Sequence, residues 1–186
     1  MNKITLYILI IIAAGVVFSS CEELDDPLDG LQETDLFVQF GANTPDTVSA
    51  SEGGSLIITI QAPISFNENL IASVTFSGTA VFGTDFTITA NNVISGNTGE
   101  SVAPIQSVDA NGATILVPFL PTRGEDLITD QVNFTVNFLT DEATDGQKIL
   151  EITLNGATGT VTADLTLAGG RGPIRNNTYI RISDVD

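Results

Sequence analysis

Apolar and polar positions alternate repeatedly along the chain after about residue 35. The clearest case is Gln131–Phe138, where Val132, Phe134, Val136 and Phe138 fall on one face of a strand and Asn or Thr on the other. No window of helical length in this region carries the i, i+3, i+4 apolar spacing. The predicted strands are Leu36–Phe40, Ser55–Ala62, Ile71–Phe76, Phe86–Thr89, Ala113–Phe119, Gln131–Phe138, Ile149–Leu154, Val161–Leu167 and Asn177–Ile182.

Turn residues separate these runs, including Gly-Gly, Asp-Gly and Asn-Gly pairs, and two longer stretches, Asn91–Asn111 and Ala168–Asn176, are predicted to be loops. The hydrophobic residues, 42% of the chain, are enough for one core. Many short antiparallel strands in one domain are typical of a sandwich. The sequence therefore predicts an all-β, immunoglobulin-like antiparallel β-sandwich of about seven to nine strands over residues 35–186.

The chain begins with a targeting pattern. Lys3 is followed by an apolar run, Ile4–Phe18, and then by small residues before Cys21, the one cysteine of the chain. An uncleaved transmembrane anchor is the alternative, but a membrane-spanning helix needs about 20 apolar residues and this run is shorter. The pattern resembles a bacterial lipoprotein signal, although Phe18 stands where Leu is most common. The resemblance implies that residues 1–20 are a signal peptide and that Cys21 is lipidated and becomes the mature N-terminus.

An acidic run, Glu22–Asp26, directly follows Cys21. Like charges beside an anchor favour a solvated spacer, so residues 21–34 are predicted to be a tether. The run also resembles the surface-export signal of Bacteroidetes lipoproteins. That resemblance implies a lipid-anchored protein of the outer membrane that faces the cell exterior, with the periplasm as the alternative.

The charge balance excludes several functions. The chain has 23 acidic residues, six basic residues and no histidine, and its net charge is -17. Nucleic-acid binding needs a basic surface, so no nucleic-acid partner is expected. Without histidine there is no Ser-His-Asp triad and no imidazole metal site, and a single cysteine cannot form an intramolecular disulfide or a zinc cluster.

Three segments resemble, in the same order, motifs of the Calx-beta domain, a calcium-binding sandwich module of sodium–calcium exchangers and extracellular adhesive proteins. The first is Glu52-Gly53 before a strand. The second and most specific is Gly78-Thr79-Ala80 followed by Gly83-Thr84-Asp85-Phe86. The third is an acidic loop, 140–148, that leads into an alternating apolar strand. The resemblance covers roughly residues 35–186.

The resemblance implies a calcium site, and calcium favours carboxylate and carbonyl oxygens. The residues that match acidic positions of the family's site are Glu52, Asp85, Asp141, Asp145, Asp184 and Asp186. The chain departs from the family at Thr140, where the family has Asp, at Lys148, where it has Glu, and at Val185, which interrupts the last acids. Three alternatives follow: one bound calcium ion, a degenerate metal-free site, where Lys148 could occupy the place of a cation, or a weaker and less selective cation site.

Three functions are compatible with this pattern. The resemblance implies a non-enzymatic, cell-surface interaction or adhesion domain whose partner is an unknown protein or glycan. The alternative is a glycan-binding accessory lipoprotein of a polysaccharide-uptake system. Sugar sites use aromatic rings, and outside the leader this chain has no Trp and one Tyr, Tyr179, which disfavours that alternative. An enzyme with paired carboxylates is disfavoured because the chain has no cleft-forming insertions.

Overall fold

The computed structural model describes residues 36–62, 66–96, 98–119, 130–141, 144, 146–162, 165–170 and 175–185, all within one unit, Gln32–Asp186. The predicted signal peptide, Cys21 and the tether lie outside the described residues, as do Asp145 and Asp186. The described part of the chain contains no helix, and so none that is long and apolar enough to cross a membrane.

The described residues form thirteen strands. They are β1 (Phe37–Phe40), β2 (Thr47–Ser51), β3 (Ser55–Ala62), β4 (Leu70–Gly78), β5 (Phe86–Thr89), β6 (Val93–Ile94), β7 (Ser101–Val102), β8 (Ile105–Asp109), β9 (Gly112–Val117), β10 (Asp130–Phe138), β11 (Lys148–Gly159), β12 (Thr166–Gly169) and β13 (Asn177–Ser183).

Two sheets face each other across one core. The first sheet has the order β5-β10-β3-β1, and the second has the order β8-β9-β4-β11-β13-β2, with β12 beside the far half of β11. Strand β1 belongs to both sheets, because Phe37 and Val38 pair in parallel with β12 whereas Gln39 and Phe40 pair antiparallel with β3. This arrangement is the predicted immunoglobulin-like sandwich, but it has thirteen strands where seven to nine were predicted, and β1–β12 and β2–β13 are parallel pairs.

The alternating pattern sets which side chains enter the core. In β10 the predicted apolar face is buried throughout, and Phe134 and Val136 are fully inaccessible. In the second sheet, β11 likewise buries Leu150, Ile152 and Leu154 in the core. Each buried side chain of this size contributes about 1.5–3 kcal/mol through removal of apolar surface from water, so a slip of one residue in either strand would expose its whole apolar set.

The prediction of a loop at Asn91–Asn111 is wrong, because this stretch contains β6, β7 and β8. Strand β8 lies at the edge of the second sheet with most of its side chains exposed, so it has no apolar face for a sequence pattern to reveal.

The predicted strand Val161–Leu167 is also displaced. Strand β11 continues through Gly159, and β12 begins only at Thr166. The Asn155-Gly156 pair resembles a turn but forms a β-bulge inside β11, where Gly156 has a φ of 148° and a Cβ atom would lie 2.3 Å from the carbonyl oxygen of Leu167.

Candidate metal centre

The turn between β2 and β3 carries Glu52 to one end of the sandwich. The backbone N–H of Glu52 donates to the carbonyl of Ser183 at 3.1 Å, and the N–H of Gly53 donates to the carbonyl of Phe138 at 3.0 Å. Gly53 has a φ of 72°, a conformation that glycine adopts without steric cost. Glu52 is therefore held against the ends of β13 and β10, and its Oε2 atom is buried.

Asp85 organises the most specific motif of the sequence. Its Oδ2 atom accepts a hydrogen bond from the N–H of Val81 at 2.5 Å, and its own N–H donates to the carbonyl of Val81 at 2.8 Å. The side chain is only 7% exposed. Asp85 thus closes the turn before β5, and the N–H of Leu139 donates to its carbonyl at 2.9 Å, which ties this turn to the segment just after β10.

An aromatic cluster supports the same turn. The ring of Phe86 meets those of Phe76 and Phe82 edge-on, with centroids 5.3 and 5.6 Å away, and the rings of Phe76 and Phe82 are 6.2 Å apart. Edge-to-face pairs of this kind add about 0.5–1.5 kcal/mol beyond the area that they bury. The position of Asp85 is therefore determined by packing as well as by its own hydrogen bonds.

Asp184 and the acidic loop before β11 meet at this end as well. The N–H of Gly146 donates to Oδ2 of Asp184 at 3.3 Å. Asp141 follows β10 by three residues and is half-buried. Backbone or side-chain hydrogen bonds thus bring the elements that carry Glu52, Asp85, Asp141 and Asp184 to one end of the sandwich, which we call the acidic end.

The acidic end is not a closed ligand cluster in the described residues. Among them, no group of three or more Asp, Glu, Cys or His side chains is close enough to hold a metal ion. Two of the six predicted ligands, Asp145 and Asp186, lie outside the described residues. Of the residues that depart from the family pattern, Thr140 is exposed, Lys148 begins β11, and Val185 is 56% exposed.

The opposite end of the sandwich has a polar network that the sequence analysis did not predict. Glu68 is 8% exposed, and its Oε2 accepts hydrogen bonds from the backbone N–H groups of Val161 at 2.6 Å and Thr162 at 3.1 Å. Burial raises the pKa of the Glu68 carboxyl. The hydrogen bonds from the Thr162 side chain and from the backbone of residues 160–162 outweigh this effect and hold the pKa below its ordinary value of 4.5.

Asn69 extends this network. Its Nδ2 donates to Oγ of Ser95 at 2.7 Å, its Oδ1 accepts from the N–H of Phe119 at 3.1 Å, and its carbonyl accepts from the N–H of Thr160 at 3.1 Å. Glu68 and Asn69 stand just before a strand, where polar residues normally face solvent, so no local pattern marks them as buried. Their burial follows only from hydrogen bonds with residues more than 25 positions away in the sequence.

No protein-family model and no curated protein matches the chain. Among solved structures, it is similar to the seventh ScaB type I cohesin of Pseudobacteroides cellulosolvens, with 9% identity, a TM-score of 0.42, and coverage of 81% of this chain and 94% of the cohesin. A chain of a type I cohesin–dockerin complex of Clostridium thermocellum matches with 10% identity and a TM-score of 0.40, over 80% of this chain and 99% of that one. A PapD-like domain of human CEP192 matches with 6% identity and a TM-score of 0.38, over 90% and 96%.

Proposed function

We propose that this protein is a non-enzymatic lipoprotein of the outer membrane, anchored through lipid on Cys21, whose sandwich is a Calx-beta-like interaction or adhesion domain facing the cell exterior. One calcium ion at the acidic end stabilises the domain. The partner is another protein or a glycan.

The observation that carries this proposal is the convergence of acid-bearing turns at one end of the fold. The backbone hydrogen bonds of Glu52 to Ser183, Gly53 to Phe138 and Leu139 to Asp85 join four separate parts of the chain there. Carboxylates gathered in one place repel each other unless a cation screens them. Carboxylates and backbone carbonyls are also the ligands that calcium prefers, so calcium is the ion that we propose for this end. No three acids of the described residues are grouped closely enough to hold it without further ligands.

Calcium is expected to raise the melting temperature of the purified full chain in detergent. A ligand that binds only the folded state stabilises it by about 2.7 kcal/mol at a hundredfold excess over Kd. For a domain of this size the corresponding increase is roughly 5–11 °C. EDTA should reverse the shift, and magnesium should produce much less, because it needs tighter octahedral geometry and loses its water reluctantly. Differential scanning calorimetry measures all three effects.

Asp85→Asn tests the assignment of the ion to the acidic end. The amide keeps the size of the side chain and an oxygen that can accept from Val81, but it loses the charge. The variant should therefore fold and lose most of the calcium-induced shift. Glu100→Gln, the same chemical change at an exposed residue outside the six predicted ligands, should retain it. If calcium does not change the melting temperature of the wild type, the proposed calcium ion is contradicted and the domain is a metal-free sandwich.

The lipid anchor has its own test. Cys21→Ala should abolish the incorporation of labelled palmitate in cells and leave an unprocessed precursor of higher mass, because lipidation and cleavage both require the thiol. Ser20→Ala, an adjacent change that keeps the thiol, should still be labelled. Lipid labelling of the Cys21→Ala protein would show that the lipid is attached elsewhere, and an unlabelled wild type would show that there is no lipid anchor.

A further inference from the structure

The outward face of the first sheet carries no charge along β3, β5 and β10. Its side chains alternate with the buried ones and are Ser, Thr, Asn and Gln, with Ile57 as the one apolar exception. The chain as a whole has 23 acidic and six basic residues. None of these charged residues faces outward along the three strands.

This face contains a groove of about 380 Å³. Thr89 at the end of β5 and residues 90–93 after it line one side, and outward side chains of β10 together with Ile57 of β3 line the other. The volume lies within the range of about 300–1,000 Å³ that is typical of small-ligand clefts. The groove is nearer to the start of β10 than to its end at Phe138, so it lies away from the acidic end.

Four amide side chains converge on the groove: Asn91, Asn92, Gln131 and Asn133. The hydroxyl of Thr59 donates to Oδ1 of Asn133 at 2.8 Å, which orients that side chain and leaves its NH₂ group for another partner. Within the described part of the chain, the side chains of the other three amides form no hydrogen bond, and all four residues are exposed. The groove therefore presents both donors and acceptors that the protein itself does not use.

The chemistry of the groove favours one class of ligand. Amides pair well with hydroxyl groups, because each can donate and accept. An anionic ligand would be repelled by the net charge of -17, and a cationic ligand finds no acid in the lining. Ile57, 59% exposed in the lining, offers an apolar contact for the C–H face of a sugar ring.

We propose that this groove binds a neutral oligosaccharide or polysaccharide. The proposal rests on the proposed function in one respect, since it takes the domain to be a binding module, and it supplies the chemical class of the partner. The lining contains no aromatic ring on which a sugar can stack. A single site therefore binds weakly, and a repeating polymer that presents many copies of the ligand is the appropriate probe.

Affinity electrophoresis of the full chain in native detergent gels tests the proposal. The gels contain neutral polysaccharides built from glucose, mannose, xylose or galactose, or the acidic polymers alginate and polygalacturonate. At least one neutral polymer should retard the protein, and the acidic polymers should not. Because the groove is away from the acidic end, retardation should be the same in calcium and in EDTA, so loss of the calcium effect alone leaves this result intact.

Asn133→Asp supplies the variant. The carboxylate still accepts from Thr59, so the side chain keeps its place, but the NH₂ donor becomes a negative charge inside the groove. We expect the apparent affinity for the polymer, measured from the retardation, to fall at least tenfold. Asn155→Asp is the matched control, with the same change at an exposed residue of β11 outside the groove, and it should retain wild-type retardation.

Four results would overturn the proposal. The first three are the absence of retardation by every neutral polymer, retardation that the two variants alter equally, and retardation by the acidic polymers alone. A fourth is a concentration-dependent dimer, seen by sedimentation, that Asn133→Asp disrupts without any effect of glycan; the face would then be an interface between two copies of the chain.

Discussion

Gly78→Ala is expected to lower the free energy of unfolding by roughly 2–5 kcal/mol. Gly78 ends β4 with a φ of 107°, and a Cβ atom there would lie 2.3 Å from the carbonyl oxygen of Ile149. That oxygen cannot retreat easily, because it accepts hydrogen bonds from the N–H groups of Thr79 and Ala80. Denaturant unfolding followed by circular dichroism measures the loss.

Gly83→Ala is the matched control for that substitution. Gly83 belongs to the same turn region and also has a positive φ, 83°, but nothing lies within 4 Å of a Cβ atom built there. The variant should lose only the cost of a left-handed conformation, about 1–2 kcal/mol. Equal losses in the two variants would mean that backbone conformation, and not the contact with Ile149, makes glycine necessary at position 78.

The comparison also bears on the proposed calcium site. Gly78, Gly83 and Asp85 are the residues in which the chain most resembles the Calx-beta motif, and in this structure each has a local structural role. A large loss for Gly78→Ala measured in EDTA would show that this glycine of the motif is needed for stability in the absence of an ion. Only the calcium-dependent shift in melting temperature separates the two roles.

Glu68→Leu is expected to lower the free energy of unfolding by about 2–4 kcal/mol at pH 7. Leu fits a site that is nearly closed to solvent, but it leaves the backbone N–H groups of Val161 and Thr162 without their acceptor. A hydrogen bond to a charged group contributes about 1.5–3 kcal/mol. Chemical denaturation at pH 7 measures the effect.

The pH dependence of the same variant has a definite sign. The pKa of Glu68 in the folded protein lies below 4.5, its ordinary value. Its stabilising contribution is therefore complete above pH 4.5 and is lost as the pH falls through the folded-state pKa. Wild type should converge with Glu68→Gln in that acid range, because a protonated carboxyl and an amide are both neutral acceptors. At pH 7 Glu68→Gln should lie between wild type and Glu68→Leu. A stability difference that stays constant through the acid range would contradict the role of the charged carboxylate.

The fold class could be predicted from the sequence because the side chains that form the core repeat with the period of a strand. Ser55–Ala62 and Phe86–Thr89 were predicted with the bounds that the structure has, and the apolar face of β10 was predicted residue by residue. Burial on one face of a strand is a local property of its sequence, so these predictions needed no tertiary information.

The acidic end is an intermediate case. Family resemblance placed Glu52, Asp85, Asp141 and Asp184 in one site, and the structure brings the elements that carry them to one end of the sandwich. It also gives the Asp85 carboxylate a partner that the sequence did not suggest, the N–H of Val81. A motif indicates which residues matter, but their hydrogen-bond partners depend on the path of the backbone around them.

By itself, then, the sequence determined the all-β sandwich, its principal strands and the excess of acidic residues. The tertiary structure decided what depends on contacts between distant positions. The bulge at Gly156 lets β11 continue where the sequence suggested a turn, and Glu68 is buried with hydrogen bonds to residues 161 and 162. It also decided the groove, where β5, β10 and β3 bring Asn91, Asn133 and Ile57 together. Alternation tells which side of a strand faces the core, but only the pairing of strands decides which polar side chains lie next to each other on the other side.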